Sequence, residues 1–348
     1  MDAAPAYTVH EGDIARDRDT VLALWRGNLG QDARMAAKYD WFYRDSPAGP
    51  PLLLLLRHEA SGDWVGVAGA GPRRFRHGAV ERSAGVLVDL AVLPAHRSLG
   101  PALTLQQAML ERGLGRFDLL YGFPNPKAVP VFKRVGYGGL GALTRMLRVL
   151  RHGPYLRKRL PALPSALALP GGWLLDLIDR LRLALPGRAL RGGWSQQVPA
   201  ELDALWAGSD PGAAPLAVRD AAFARWRFDA CPLAQTQHLL VRDRAGRARA
   251  WFACQWRDGI VQVADAWSDG GAAGIPPDCI AVLLRAARAQ GAQAVSVEVV
   301  ADGAGADGWR ARGFVAREQR PVYGKAGAAL AGAGATTLPW LSSADEDE

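Results

Sequence analysis

Cysteine is scarce: only Cys231, Cys254 and Cys279 occur in 348 residues. An odd number without metal-ligand spacing excludes a disulfide framework and a cysteine metal centre, and fits a reduced compartment. No metal is expected. Long apolar runs are also missing, none reaching the ~20 residues of a membrane-spanning helix. The opening stretch MDAAPAYTVHEGD lacks a basic segment followed by an apolar core, so no signal peptide is expected and the expected compartment is the cytoplasm. Acidic residues are in deficit, 34 against 42 basic ones, for a net charge of +8. That balance suits an anionic ligand, a membrane surface or nucleic acid. Base composition behind the abundant Ala, Gly and Arg accounts for part of it. Hydrophobic residues make up 49%, and the length suits two domains.

Residues 86–102 read VLVDLAVLPAHRSLGPA. Val86 to Leu93 predicts a buried strand, stopped by Pro94. A short loop follows, and Pro101 opens a predicted helix over 102–112, where its missing N–H costs nothing. Strand, tight loop and helix present free amides and a helix N-terminus to an anion such as a pyrophosphate. Downstream, FDLLYGFPNPKAVPVFKRVGY over 117–137 predicts a second short strand, a turn at Asn125 and a short helix.

Together these segments resemble the GNAT (Gcn5-related) N-acetyltransferase superfamily. Arg97-x-x-Gly100-x-Ala102 matches its pyrophosphate loop. Asn125, Ala128, Phe132, Gly136 and Tyr137 match its second signature. The resemblance implies acetyl-CoA or another acyl-CoA as cosubstrate. It implies a cofactor site built from Ala91, Val92, Leu93, Arg97, Ser98, Leu99, Gly100, Ala102, Asn125, Ala128 and Phe132, with the pantetheine arm between two splayed strands. Three positions depart from the pattern. Pro101 removes an amide from the loop, Leu99 stands where a polar or basic residue is common, and Phe132 replaces the tyrosine that protonates the leaving thiolate.

Landmarks recur along the chain. Trp41 to Pro47 is echoed by Trp226 to Pro232, Asp89 by Asp265, and Phe132-x-x-x-Gly136-Tyr137 by Trp309-x-x-x-Gly313-Phe314. The expected fold is α/β, an α+β mixed sheet: two GNAT-like domains in tandem, the second degenerate. SDGGAAGIPPD after Asp265 has no cofactor loop, and no asparagine matching Asn125 follows 294–300. The expected divisions are 1–150, an acyl-CoA-binding domain; 151–197, a basic, Pro-rich linker; 198–325, the degenerate domain; and 326–348, a disordered acidic tail. Similar tandem arrangements occur in bacterial GNAT proteins of surface-polysaccharide clusters and, more distantly, in Fem-type aminoacyltransferases and N-myristoyltransferase.

Within the linker, residues 172–185 form an amphipathic helix. Trp173, Leu174, Leu177, Ile178, Leu181, Ala184 and Leu185 share one face, while Asp176, Asp179, Arg180 and Arg182 cluster on the other. Arg151, Arg157, Lys158, Arg159, Arg188 and Arg191 surround it. Packing between two domains is the ordinary expectation; peripheral contact with an anionic membrane is the alternative.

Asp89, inside an apolar run, is the candidate general base, since burial raises a carboxylate toward a useful pKa. The competing role is structural, as Asp265 suggests. With Phe132 unable to give a proton, Tyr121 is the candidate acid. The expected activity is acyl-CoA-dependent N-acyltransfer, most simply N-acetyltransfer, to a small-molecule amine such as an amino sugar, with no specific nucleic-acid partner. A Fem-type aminoacyltransferase using aminoacyl-tRNA and a non-catalytic CoA-binding protein are the rivals.

Overall fold

The computed structural model describes residues 6–153, 165–300, 304–331, 338 and 340–347. Arg157, Lys158 and Arg159 lie outside these residues. The first half runs β1 (Tyr7–Glu11), α1 (Arg18–Trp25), α2 (Asp32–Tyr39), β2 (Leu52–His58), β3 (Trp64–His77), β4 (Val80–Val92), α3 (Leu99–Leu114), β5 (Leu119–Gly122), α4 (Val129–Val135) and β6 (Gly138–Val149). After α5 (Ser165–Ala184) come β7 (Arg191–Ser195), α6 (Leu202–Ala207), β8 (Leu216–Ala217) and α7 (Ala221–Ala224). The rest is β9 (Thr236–Arg242), β10 (Ala248–Arg257), β11 (Ile260–Ser268), α8 (Pro277–Ala289), β12 (Ala294–Val300), α9 (Asp307–Ala311), β13 (Val315–Ala326) and α10 (Ala328–Ala331). Three strands, a helix, a strand, a short helix and a strand therefore occur twice in the same order.

The strands form one sheet in the order β1-β2-β3-β4-β5-β13-β6-β12-β11-β10-β9-β7. Neither half closes alone. β13 from the second half lies between β5 and β6, while β6 reaches across to pair with β12. A boundary at 150 therefore separates the chain in sequence but not in space. Asp40–Arg44 and Arg225–Asp229 are both π-helical turns. Their tryptophans meet at the centre. Trp41 and Trp226 stack at 5.0 Å, and each Nε1 donates to the other's carbonyl, at 2.8 and 3.0 Å. Such reciprocity is what a two-fold relation between like surfaces produces.

Other repeats are equally local. Gly136 and Gly313 both have positive φ, 100° and 77°, ending short helices where a side chain would be strained. The aromatics flanking each pair at 5.0 Å, Phe132 with Tyr137 and Trp309 with Phe314. β2 is buried from Leu52 to Leu56, which explains an unbroken run of leucine rather than an alternation. Helix α3 starts at Leu99, so Pro101 is its third residue, still inside the turn whose N–H groups have no helical partners.

The acidic tail is not disordered where it is described. Leu338, Trp340, Leu341 and Ala344 are core residues, and Asp345 is fully buried. Asp345 accepts from Arg73 at 2.6 Å and from Arg219 at 2.7 Å, one arginine from each half. Arg219 continues to Asp265 at 3.0 Å. Buried charge needs partners, and here two guanidiniums and two carboxylates supply one another. Glu346 pairs with Arg320, and Asp347 with Lys38 at 2.6 Å.

Helix α5 also differs from the ordinary expectation. Its acids face the protein: Asp179 pairs with Arg148 and Arg288, and Asp176 with His152. The apolar face is turned outward, not packed between domains.

Candidate active site

β4 and β5 pair in parallel from Ala84–Leu119 to Leu87–Gly122, and no further. Beyond that point β4 continues beside β3, while the chain after Gly122 turns off toward α4. Between the Val67–Ala91 and Gly69–Val88 pairs, Asp89 and Leu90 stand opposite Ala68 alone, a β-bulge. Asp89 has φ 55°, a left-handed conformation that Asp tolerates better than most residues. Past the bulge, the Leu93 N–H donates to Val65 at 2.8 Å. Alternation along the strand therefore turns the Val92 backbone away from β3, toward the gap. The Val92 carbonyl accepts from Arg97 Nε there at 3.1 Å, and its N–H faces the same side.

In the loop, the amides of His96, Arg97 and Ser98 bond to the Leu93, Pro94 and His96 carbonyls. Leu99 and Gly100 then offer first-turn N–H groups that have no helical acceptor, Ala102 being the first residue positioned to bond back to the Ser98 carbonyl, and the helix dipole adds positive potential. A Cβ at Gly100 would meet nothing nearer than Ser98 Oγ, 4.0 Å away, so the approach is open. The Arg97 guanidinium bonds back to Val92 and to Asn28 Oδ1, bracing the loop against the α1–α2 connection. Asn125 Oδ1 accepts the Lys127 and Ala128 amides, both at 3.0 Å, and so shapes the entry to α4. Phe132 is buried against Tyr137 at the end of β5.

Asp89 has a built environment. Lys38 Nζ donates to Oδ1 and the Tyr43 hydroxyl to Oδ2, both at 2.8 Å. A side chain at Gly69 would lie 2.4 Å from the Tyr43 hydroxyl, so only glycine lets that tyrosine lie across β3 to reach Asp89. Burial, opposed by Lys38, pushes the Asp89 carboxyl up to about 6. Beside it a cavity of about 510 Å³ opens between the halves. Trp25, Met35 and Leu233 give it apolar walls, and Arg34 and Arg257 line it with opposite origins, one from each half. Both guanidiniums are exposed and make no hydrogen bond or ion pair among the described residues. The equivalent carboxylate, Asp265, is sealed: Oδ1 takes Arg219, Ser342 and the Ala266 amide, and the side chain has no exposure.

Tyr121 is not placed as a general acid. It is fully buried, its ring edge-on to Phe75, and its hydroxyl donates to the Asp345 carbonyl at 3.1 Å. Burial raises its pKa far above the ordinary tyrosine value. A different tyrosine comes from β13. Tyr323 pairs with Gly122, where the strands part, and its ring lies 6.4 Å from that of Phe132. Its half-buried side chain makes no hydrogen bond among the described residues. No local signal marks Tyr323, because the strand exchange that brings it there is long-range.

Residues 19–137 match the model of the acetyltransferase (GNAT) family. No curated protein matches the chain. Among solved structures, a probable N-acyltransferase from Enterococcus faecalis V583 superposes with a TM-score of 0.65 at 9% identity, covering 92% of this chain and 73% of its own. A GCN5-related N-acetyltransferase from Kribbella flavida gives 0.59 at 16%, covering 92% and 71%. Saccharomyces cerevisiae N-myristoyltransferase with bound myristoyl-CoA gives 0.51 at 12%, covering 93% and 83%. At these identities the structural likeness is one of fold. Family model and fold together support the GNAT acetyltransferase superfamily, with the family match confined to the first half.

Proposed function

We propose that this chain is an acyl-CoA-dependent N-acyltransferase, acetyl-CoA being its simplest donor, with one working site in the first of two GNAT-like halves. The observation that carries the reading is the conjunction at the end of β4. An open helix N-terminus, a strand gap with an inward amide and a buried carboxylate beside a cavity lie within fifteen residues of sequence. The amides of Leu99 and Gly100, at the open start of the helix, hold the pyrophosphate. The Val92 N–H polarises the thioester carbonyl. Asp89 accepts the proton as the amine attacks the carbonyl carbon; the C–S bond then breaks and the thiolate leaves. Tyr323 or water protonates it.

The acceptor sits in the cavity between the halves. With Arg34 and Arg257 unpaired among the described residues at its wall, it is an amine that also carries a phosphate or carboxylate, and a phosphorylated amino sugar satisfies both requirements. Two measurements test this. Acetyl-CoA at 100 times its dissociation constant should stabilise the protein by ~2.7 kcal/mol, and Gly100→Glu, which places a carboxylate in the open approach, should remove that protection. Glucosamine 6-phosphate should release CoA thiol faster than glucosamine, and Arg34→Ala with Arg257→Ala should erase the difference. Protection surviving in Gly100→Glu refutes the cofactor site. Equal use of both sugars refutes the anionic acceptor.

A further inference from the structure

Helix α5 is mounted with its charged face inward. At about 100° per residue, Trp173, Leu174, Leu177, Ile178 and Leu181 occupy one continuous arc of ~140°, and Leu185 follows just past the helix end at Ala184. All six are exposed, from 37% at Leu177 and Ile178 to 69% at Leu185. Leu183, on the opposite side, is 2% exposed and anchors the helix beside Asp176 and Asp179. The two acids are spent on Arg148, Arg288 and His152. What the helix shows to solvent is therefore apolar, with Arg180 and Arg182 exposed along its two borders. Neither arginine has an ion pair or hydrogen bond among the described residues. A soluble surface rarely presents so large an apolar patch without a partner.

A second feature adjoins it. A cavity of about 550 Å³ lies between the helix and the end of β6, lined by Arg182 and by Arg317 of β13. Arg317 is exposed and also makes no polar contact among the described residues. Val315, 54% exposed, forms part of the same wall. An apolar stripe with arginines at its edges and a cationic recess at its flank matches an interface of acyl chains below and phosphates above. No helix among the described residues is long and apolar enough to cross a bilayer.

We infer that the 172–185 face of α5 docks on an anionic lipid surface, with a headgroup phosphate seated between Arg182 and Arg317. The apolar arc enters the headgroup boundary, and the border arginines reach the phosphates along their aliphatic stems. Exposed charge is of one sign on this face, which favours an anionic bilayer over a second copy of the chain.

The test uses the full chain and vesicles of phosphatidylcholine, alone or with 30 mol% phosphatidylglycerol. Co-sedimentation should be at least tenfold stronger with the anionic vesicles. Leu177→Glu with Leu181→Glu should abolish it, and Arg182→Glu with Arg317→Glu should reduce it at least tenfold. Because these side chains are exposed, the melting temperature should hold, and it is measured for each variant. A loss of binding accompanied by a fall in melting temperature is checked with Leu177→Ser and Leu181→Ser. Equal binding to both vesicle types, or none, overturns the proposal. So does a helix-dependent dimer in light scattering that leaves vesicles unbound.

Discussion

Asp345 offers a sharp test of how the two halves are joined. Burial alone would raise its carboxyl, but Arg219 and Arg73 outweigh that and hold it below its ordinary range. Asp345→Asn keeps the shape and removes the charge. It leaves Arg73, 6% exposed, and Arg219, with none, facing a neutral amide. Breaking a buried ion pair by neutralising one partner costs ~3–5 kcal/mol, because the remaining charge stays desolvated. For a chain of this length, ~2 °C per kcal/mol is the appropriate conversion, so the melting temperature should fall by ~6–10 °C. Urea unfolding should show a lower midpoint with an unchanged slope. Glu346→Gln is the control: its pair with Arg320 is 42% exposed on the arginine side, so it should cost ~1 kcal/mol or less. A depressed folded-state pKa stabilises the protein above the unfolded value, ~3.9, and that stability is lost as pH falls through the folded one. The gap between wild type and Asp345→Asn should therefore close in acid. A change within ~0.5 kcal/mol, as at an ordinary surface position, would refute the clasp and restore a loose tail.

Asp89→Asn should lower turnover about 100-fold or more while acetyl-CoA binding persists. In wild type, kcat/KM should rise with pH through about 6, the value to which burial pushes Asp89; a flat profile removes it as the base. Because that value lies above the unfolded one, ionised Asp89 opposes folding, so stability relative to Asp89→Asn should decline as pH rises from ~4 to 6, which thermal melts across that range would show. Tyr323→Phe should reduce turnover without shifting the melting temperature by more than ~2 °C, and Phe132→Tyr in that background should restore it. Full activity in Tyr323→Phe leaves water as the proton source.

The end of β4 was legible because it is local. An aspartate in an apolar run, a proline stop and a second proline opening a helix all act within a few residues, and the bulge at Asp89 lies where the sequence placed a candidate base. The repeated tryptophans were legible as spacing, although not as a stacked pair exchanging hydrogen bonds. What escaped was set by distance or by facing. Periodicity assigns α5 two faces but cannot say which one meets the protein. That depends on Arg148 and Arg288, far away in sequence, donating to Asp179. The acidic tail read as disordered because composition counts its charges without their partners, Arg73 and Arg219. Tyr121 and Tyr323 are separated by one face of the sheet and one residue of register: Tyr323 stands opposite Gly122, and Gly324 opposite Tyr121.

The strand exchange makes the second half part of the first half's sheet. β13 lies against β5, so the far wall of the strand gap comes from the second half, as does Tyr323. Arg257 completes the cavity from the same side. The scaffold is repeated, yet the surroundings of its two aspartates diverge at single positions. Tyr43 donates to Asp89, while its counterpart in the Trp-to-Pro echo is Phe228, which has no hydroxyl to give. Asp265 is instead closed over by Arg219 and Ser342, and through Arg219 it is tied to Asp345. One aspartate thus stands at the edge of a cavity, and the other is tied into the contact between the halves. Removing the second half would take away β13, which pairs with both β5 and β6.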